Sequence, residues 1–176
     1  MNSSNAWLLE CGDVLTVAVS DHEIVECVHP ERYYRIPQTP IHCSSVIAWQ
    51  NKLVPVMDLA AALDSGHKGT LDSALVCLLS YQLAPKQPLQ YLALRINSTP
   101  QKILVDDGQV CEIPDESFSS LLKSVSLCAF THQQLPVPIL DIARLCAVEF
   151  REIAEESQPL LVRDLPALEI MQGYSG

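Results

Sequence analysis

The chain has 176 residues, 48% of them apolar, and a formal net charge of −10. That is ample for a packed core and argues against a disordered chain. The eleven Lys and Arg residues are scattered singly, so no basic patch points to nucleic acid or to an anionic membrane surface.

The opening, "MNSSNAWLLECGDV", has no basic n-region and no long apolar stretch, so no targeting segment is expected. No run approaches the roughly 18 apolar residues of a membrane span. "WLLECGDVLTVAVS" then reads as strand, turn, strand around Gly12-Asp13. "HEIVECVHPERYYRIPQTP" follows. Its Ile24 to Val28 stretch fits a short strand or one helical turn, and Pro30, Pro37 and Pro40 break regular structure. "SVIAWQNKLVPVMDL" gives two more strands about Gln50-Asn51, a pair suited to a hairpin. Asp58 heads "LAAAL" and is placed to cap a short helix.

"DSGHKGT", Asp64 to Thr70, reads as a link. The same order then returns. "SALVCLLSYQLAPKQPLQYLALRI" is strand, loop, strand, and Ile113-Pro114 answers Ile36-Pro37. "VSLCAFTHQQLPVPILDIARLC" is strand, turn, strand and an Asp-headed helix. At a constant shift Val54 answers Val137, Pro55 answers Pro138 and Asp58 answers Asp141. Halves of this size are marginal alone, so two similar small barrels sharing a core are expected. Pro55 and Pro138 suit an edge strand or the start of one, because proline cannot donate to a ladder. One domain over 1–150 is expected, with subdomains near 7–65 and 71–147 that can share strands. A tail over 151–176, helical at its start and then irregular, packs on the body or acts as a docking peptide.

No catalytic constellation emerges. The five histidines show no H-x-x-x-H and no Cys/His cluster, so neither a metal nor a cofactor is expected. The seven cysteines are odd in number, lack C-x-x-C spacing and sit among apolar residues. They read as buried reduced thiols in a cytoplasmic protein. There is no G-x-S-x-G, and His42 and Cys43, if adjacent on a strand, point to opposite faces. Asp106-Asp107-Gly108 reads as a turn. A non-enzymatic binding module is the expectation.

The pieces "WLLECGDVLTVAV", "EIVECV", "RIPQTP" and "SVIAWQNKLVPVMDLAAAL" resemble the CheW-like adaptors of bacterial chemosensory systems, and "LPVPILDIARLC" closes the second half in the family manner. The resemblance runs over about residues 7–147, without gaps from Ile24 to Leu59. It implies a mainly β fold of two small five-stranded SH3-like β-barrel subdomains with short helices. It also implies a chemotaxis adaptor without enzymatic activity. Its partners would be the regulatory domain of a chemosensory histidine kinase and the cytoplasmic tips of chemoreceptors. The family's Arg-Gly turn falls on Gln50-Asn51, which removes the guanidinium fork, so receptor contact is the expectation this departure weakens. The alternative is an orphan scaffold with a partner outside classical chemotaxis, for example in type IV pilus control. The expected partner-binding residues are Ile24, Glu26, Trp49, Gln50 and Asn51. For Ile24 the competing role is core, for Glu26 a solvated strand charge, and for Trp49 a ring folded onto the barrel.

Overall fold

Two hairpins are apolar on both sides of the strand, and the architecture follows from that. The computed structural model describes residues 2–13, 15–63, 75–114 and 118–147. In the first hairpin, β1 (Ser3–Glu10) pairs antiparallel with β2 (Thr16–Ser20). Leu8 and Ala18 face one way, while Leu9, Val17 and Val19 face the other, and all five are buried. The chain continues through β3 (Ile24–Val28), β4 (Tyr34–Arg35), β5 (Ser45–Trp49), β6 (Lys52–Met57) and helix α1 (Leu59–Leu63). The second hairpin is β7 (Leu75–Tyr81) with β8 (Gln90–Ile96). Then come β9 (Gln101–Asp106), β10 (Val110–Cys111), α2 (Ser120–Ser124), β11 (Ser126–His132), β12 (Leu135–Leu140) and α3 (Ile142–Leu145).

These strands form two six-stranded sheets of matching order, β9-β1-β2-β12-β11-β10 and β3-β7-β8-β6-β5-β4. Each has five strands of five residues or more and one of two residues. Each is curled, as in SH3-like barrels. Neither sheet is drawn from one half of the sequence. The first-half hairpin β1-β2 joins β9 to β12, and the second-half hairpin β7-β8 joins β3 to β6. The halves therefore exchange their leading hairpins.

Burial follows this exchange. Leu9, Val17 and Val19 of one sheet meet Cys77, Leu79, Leu92 and Leu94 of the other in the largest core, which lies between the sheets. Val76, Leu78 and Ala93 turn the opposite way and fill one barrel with Ile47, Val54 and Val56. Leu8, Ala18, Phe130 and Val137 fill the other. Strands buried on both faces read as unbroken apolar runs, which explains "ALVCLLSY" and "YLALRI".

The expected place of the two prolines is corrected. Pro55 and Pro138 lie within β6 and β12, which are inner strands. Counted from the two-residue turn, Pro55 opposes Val46 at a position without ladder hydrogen bonds. Its ring nitrogen therefore faces β8, and the parallel ladder to β8 begins only one residue later, at Val56↔Ala93. Pro138 repeats this, with the ladder to β2 at Ile139↔Ala18. No donor is needed where the proline sits. His42 and Cys43 are also not on a strand. They belong to a single 3-10 turn, Ile41–Cys43.

Ile24 to Val28 is a strand. The Asp caps form as expected: Ala61 N–H donates to Asp58 Oδ1 over 2.9 Å, and Arg144 N–H to Asp141 Oδ1 over 3.0 Å. The 64–70 link and the 151–176 tail lie outside the described residues.

Candidate protein-binding face

The β5-β6 hairpin has two unlike faces. Ser45, Ile47, Val54 and Val56 point into the barrel and are buried. Val46, Ala48, Leu53 and Pro55 point away from it. They make cross-strand pairs Val46↔Pro55 and Ala48↔Leu53, and Tyr34 of β4 extends the first pair into a row of three. All five residues are apolar or aromatic. Leu53 is 72% exposed and Tyr34 44%. A strand face turned to water usually carries polar side chains.

The equivalent hairpin, β11-β12, differs. Ala129 and Pro138 hold the places of Val46 and Pro55 and are buried. Thr131 and Pro136 hold the places of Ala48 and Leu53. The open apolar face thus belongs to β5-β6 and not to β11-β12.

The turn between β5 and β6 is tight. Gln50 and Asn51 have φ of 45° and 60°, the left-handed values that a type I′ hairpin requires at both positions. Gln133 and Gln134 repeat them at 48° and 67°.

Of the five residues expected from the sequence, two come together. Trp49 Nε1–H donates to Glu26 Oε1 across the mouth of the barrel. The Trp49 ring also packs on Tyr91, with centroids 5.0 Å apart, and Lys52 Nζ stands 4.3 Å from the centre of the Tyr91 ring. Trp49 is half-buried against the barrel core. Nearby, burial pushes the Tyr33 phenol up, against an opposing pull from Arg95. Gln50 and Asn51 are exposed at the tip. Ile24 is not part of this group: it packs against the core between the sheets.

Sequence reasoning missed Tyr34, Val46, Ala48, Leu53 and Pro55. The available signal was the pattern of "SVIAWQNKLVPV", apolar at nearly every position, where one solvated face should have produced alternation.

Elsewhere, a groove of about 390 Å³ opens at one end of the other sheet, lined by Leu8, Leu15, Phe118 and Leu135 with Glu10 and His132. Among the described residues no three His, Cys, Asp or Glu side chains are grouped to hold a metal. No described helix is long and apolar enough to cross a membrane.

The family model of the CheW-like domain matches residues 6–150. The chain belongs to the CheW-like domain family. Fifteen chains of solved structures match it. One is the scaffolding protein TtCheW from Thermoanaerobacter tengcongensis, with a TM-score of 0.62 at 15% identity. That match covers 79% of this chain and 89% of TtCheW. At this identity the likeness speaks for the fold. A comparison with curated proteins gives no match. The CheW-like family and the paired curled sheets agree with the expectation drawn from "SVIAWQNKLVPVMDL" and its repeat.

Proposed function

We propose that this CheW-like chain is a non-enzymatic cytoplasmic adaptor that joins chemoreceptors to a histidine autokinase through protein contacts alone. The observation that carries the reading is the outward face of β5-β6 in a CheW-like domain. Leu53, Ala48, Val46, Pro55 and Tyr34 offer one contiguous apolar surface with strand-borne rigidity. Such surfaces mark sites of protein association. A name that calls TtCheW a scaffolding protein fits the same role. Glu26, Trp49, Gln50 and Asn51 lie at the end of that barrel, and we assign them to the rim of the interface.

The test is a calorimetric titration of the chain against the regulatory domain of a chemosensory histidine kinase encoded in the same genome. Saturable binding at micromolar concentration or below, weakened by Leu53→Asp, supports the reading. Absence of heat at high concentration overturns it for that kinase and redirects the search to receptor tips and other partners.

A further inference from the structure

Cys27 and Cys77 face one another directly across β3 and β7, as opposed residues of an antiparallel pair. Opposed Cα atoms in such a pair lie about 4.5–5.5 Å apart, inside the about 4.4–6.8 Å that a disulfide spans. Both thiols are free, and both turn to the core between the sheets. Cys77 is fully buried. Cys27 is half-buried and lies on β3, the edge strand of its sheet, so a small oxidant can reach it from the open side.

We propose that Cys27 and Cys77 form a reversible modification site, closing to a cross-strand disulfide when hydrogen peroxide oxidises Cys27. The site does not depend on the identity of any partner. Its chemistry is asymmetric. The Cys77 thiol donates a hydrogen bond to Cys27 sulfur, which lowers the Cys27 pKa, while the same bond and burial push Cys77 upward. Cys27, half-buried on the edge strand while Cys77 is sealed in the core, is the sulfur that a peroxide reaches and the thiolate that attacks. Its sulfur displaces hydroxide from the peroxide and becomes a sulfenic acid, and the hydroxide leaves as water with the Cys27 proton. The Cys77 sulfur then attacks the sulfenic sulfur, and the departing hydroxide takes the Cys77 proton as a second water. Two thiols lose two electrons and two protons, and one peroxide is reduced to two waters. A dithiol restores the starting state by exchange. The third thiol near this pair, Cys11, is fully buried, and burial and Asp58 raise its pKa, so it is a poor competitor. Glu26, which holds Trp49, directly precedes Cys27. The bond would fix that edge strand to β7.

The experiment treats the reduced full chain with hydrogen peroxide, alkylates the remaining thiols and maps peptides by mass. The expected result is a loss of about 2 Da, one cross-link joining the Cys27 and Cys77 peptides, and reversal by dithiothreitol. Cys27→Ser, a change at the sheet edge that spares the buried Cys77, should abolish the link, and Cys128→Ser should leave it intact. A Cys27 that remains alkylatable overturns the proposal. So does a Cys27 that passes to sulfinic acid without a cross-link, or one that joins a different cysteine.

Discussion

Arg95 Nη1 lies 2.8 Å from Asp58 Oδ2, across the end of the parallel ladder between β8 and β6. The other Asp58 oxygen caps α1 through the Ala61 N–H. One carboxylate thus binds a strand of the second half to a helix of the first. Both side chains are mostly buried, at 15% and 12% exposure. Asp58→Ala removes a cap worth about 1 kcal/mol and takes from the mostly buried Arg95 guanidinium its carboxylate partner. Breaking a buried pair from one side costs about 3–5 kcal/mol, and partial exposure places this case near the low end. Asp58→Asn keeps an acceptor for the cap and should fall between Ala and wild type. Urea unfolding of the three proteins tests this order.

Gly12 links the leading hairpin to the same helix. Its φ is +82°, and a Cβ there would meet the Ala60 Cβ at 2.7 Å. The left-handed backbone alone costs a side chain about 1–2 kcal/mol, and the contact adds to it because Ala60 is held by α1. Gly12→Ala should lower stability by about 2 kcal/mol or more, and a Gly12→Ala/Ala60→Gly double variant should recover the part due to the clash. Thermal unfolding of the single and double variants separates the two contributions.

The hairpin turn makes a third prediction. Asn51 tolerates its φ of 60° better than most residues, and glycine tolerates it better still. Asn51→Gly should hold or raise stability by up to about 1 kcal/mol. Asn51→Val places a β-branched side chain in a left-handed conformation and should cost about 1–2 kcal/mol. Denaturant midpoints decide it.

The pair order, the hairpin at Gln50-Asn51 and the caps at Asp58 and Asp141 were legible in the sequence because each is written locally. A turn needs particular residues at adjacent positions, and a cap needs an oxygen just ahead of a helix. Shared strands were an expectation, but which hairpins exchange was not legible. β1-β2 and β7-β8 are apolar on both sides, so either could enter either sheet without altering the pattern of burial. β9 also escaped notice, since "QKILVD" is paired only by β1 and leaves Leu104 exposed. Glu26 and Trp49 were readable as separate candidates, but their hydrogen bond joins residues far apart in the chain and depends on how the barrel closes. The outer face of β5-β6 was hidden for another reason. An apolar residue such as Leu53 looks the same in sequence whether it meets a core or water.

Asp21 supplies a pH prediction. Its carboxylate accepts from Trp7 Nε1 at 2.6 Å and pairs with Lys102 Nζ at 2.9 Å. The Lys102 hydrogen bond first, and then that of Trp7, hold its pKa below the ordinary carboxylate value. A lowered folded-state pKa means that the unfolded chain takes up the proton first. The contribution is therefore complete above the ordinary carboxylate range and is lost as pH falls through the folded value. Asp21→Asn should lose stability relative to wild type at neutral pH, and the gap should narrow in acid. Because the pair is exposed to solvent, added salt should also narrow the gap. Urea midpoints at neutral and acidic pH, each at low and high salt, test the sign.

The apolar face carries the sharpest functional prediction. Leu53 touches nothing in the barrel core, and its side chain is largely in water. Leu53→Asp should therefore leave folding nearly unchanged. Burying that charge in an interface would cost far more, so affinity for the kinase regulatory domain should fall at least roughly tenfold. Leu104→Asp is the control, because Leu104 is also exposed but sits on β9 of the opposite sheet. Glu26→Gln keeps an acceptor for Trp49 and removes only the charge, so it reports whether the rim attracts a basic partner. Trp49→Ala is less informative, since the ring packs on Tyr91 and its loss disturbs the barrel itself. Equal loss of binding for Leu53→Asp and Leu104→Asp would mean that the β5-β6 face is not the docking surface. Loss for Leu53→Asp alone, with unchanged unfolding curves, would place the partner there.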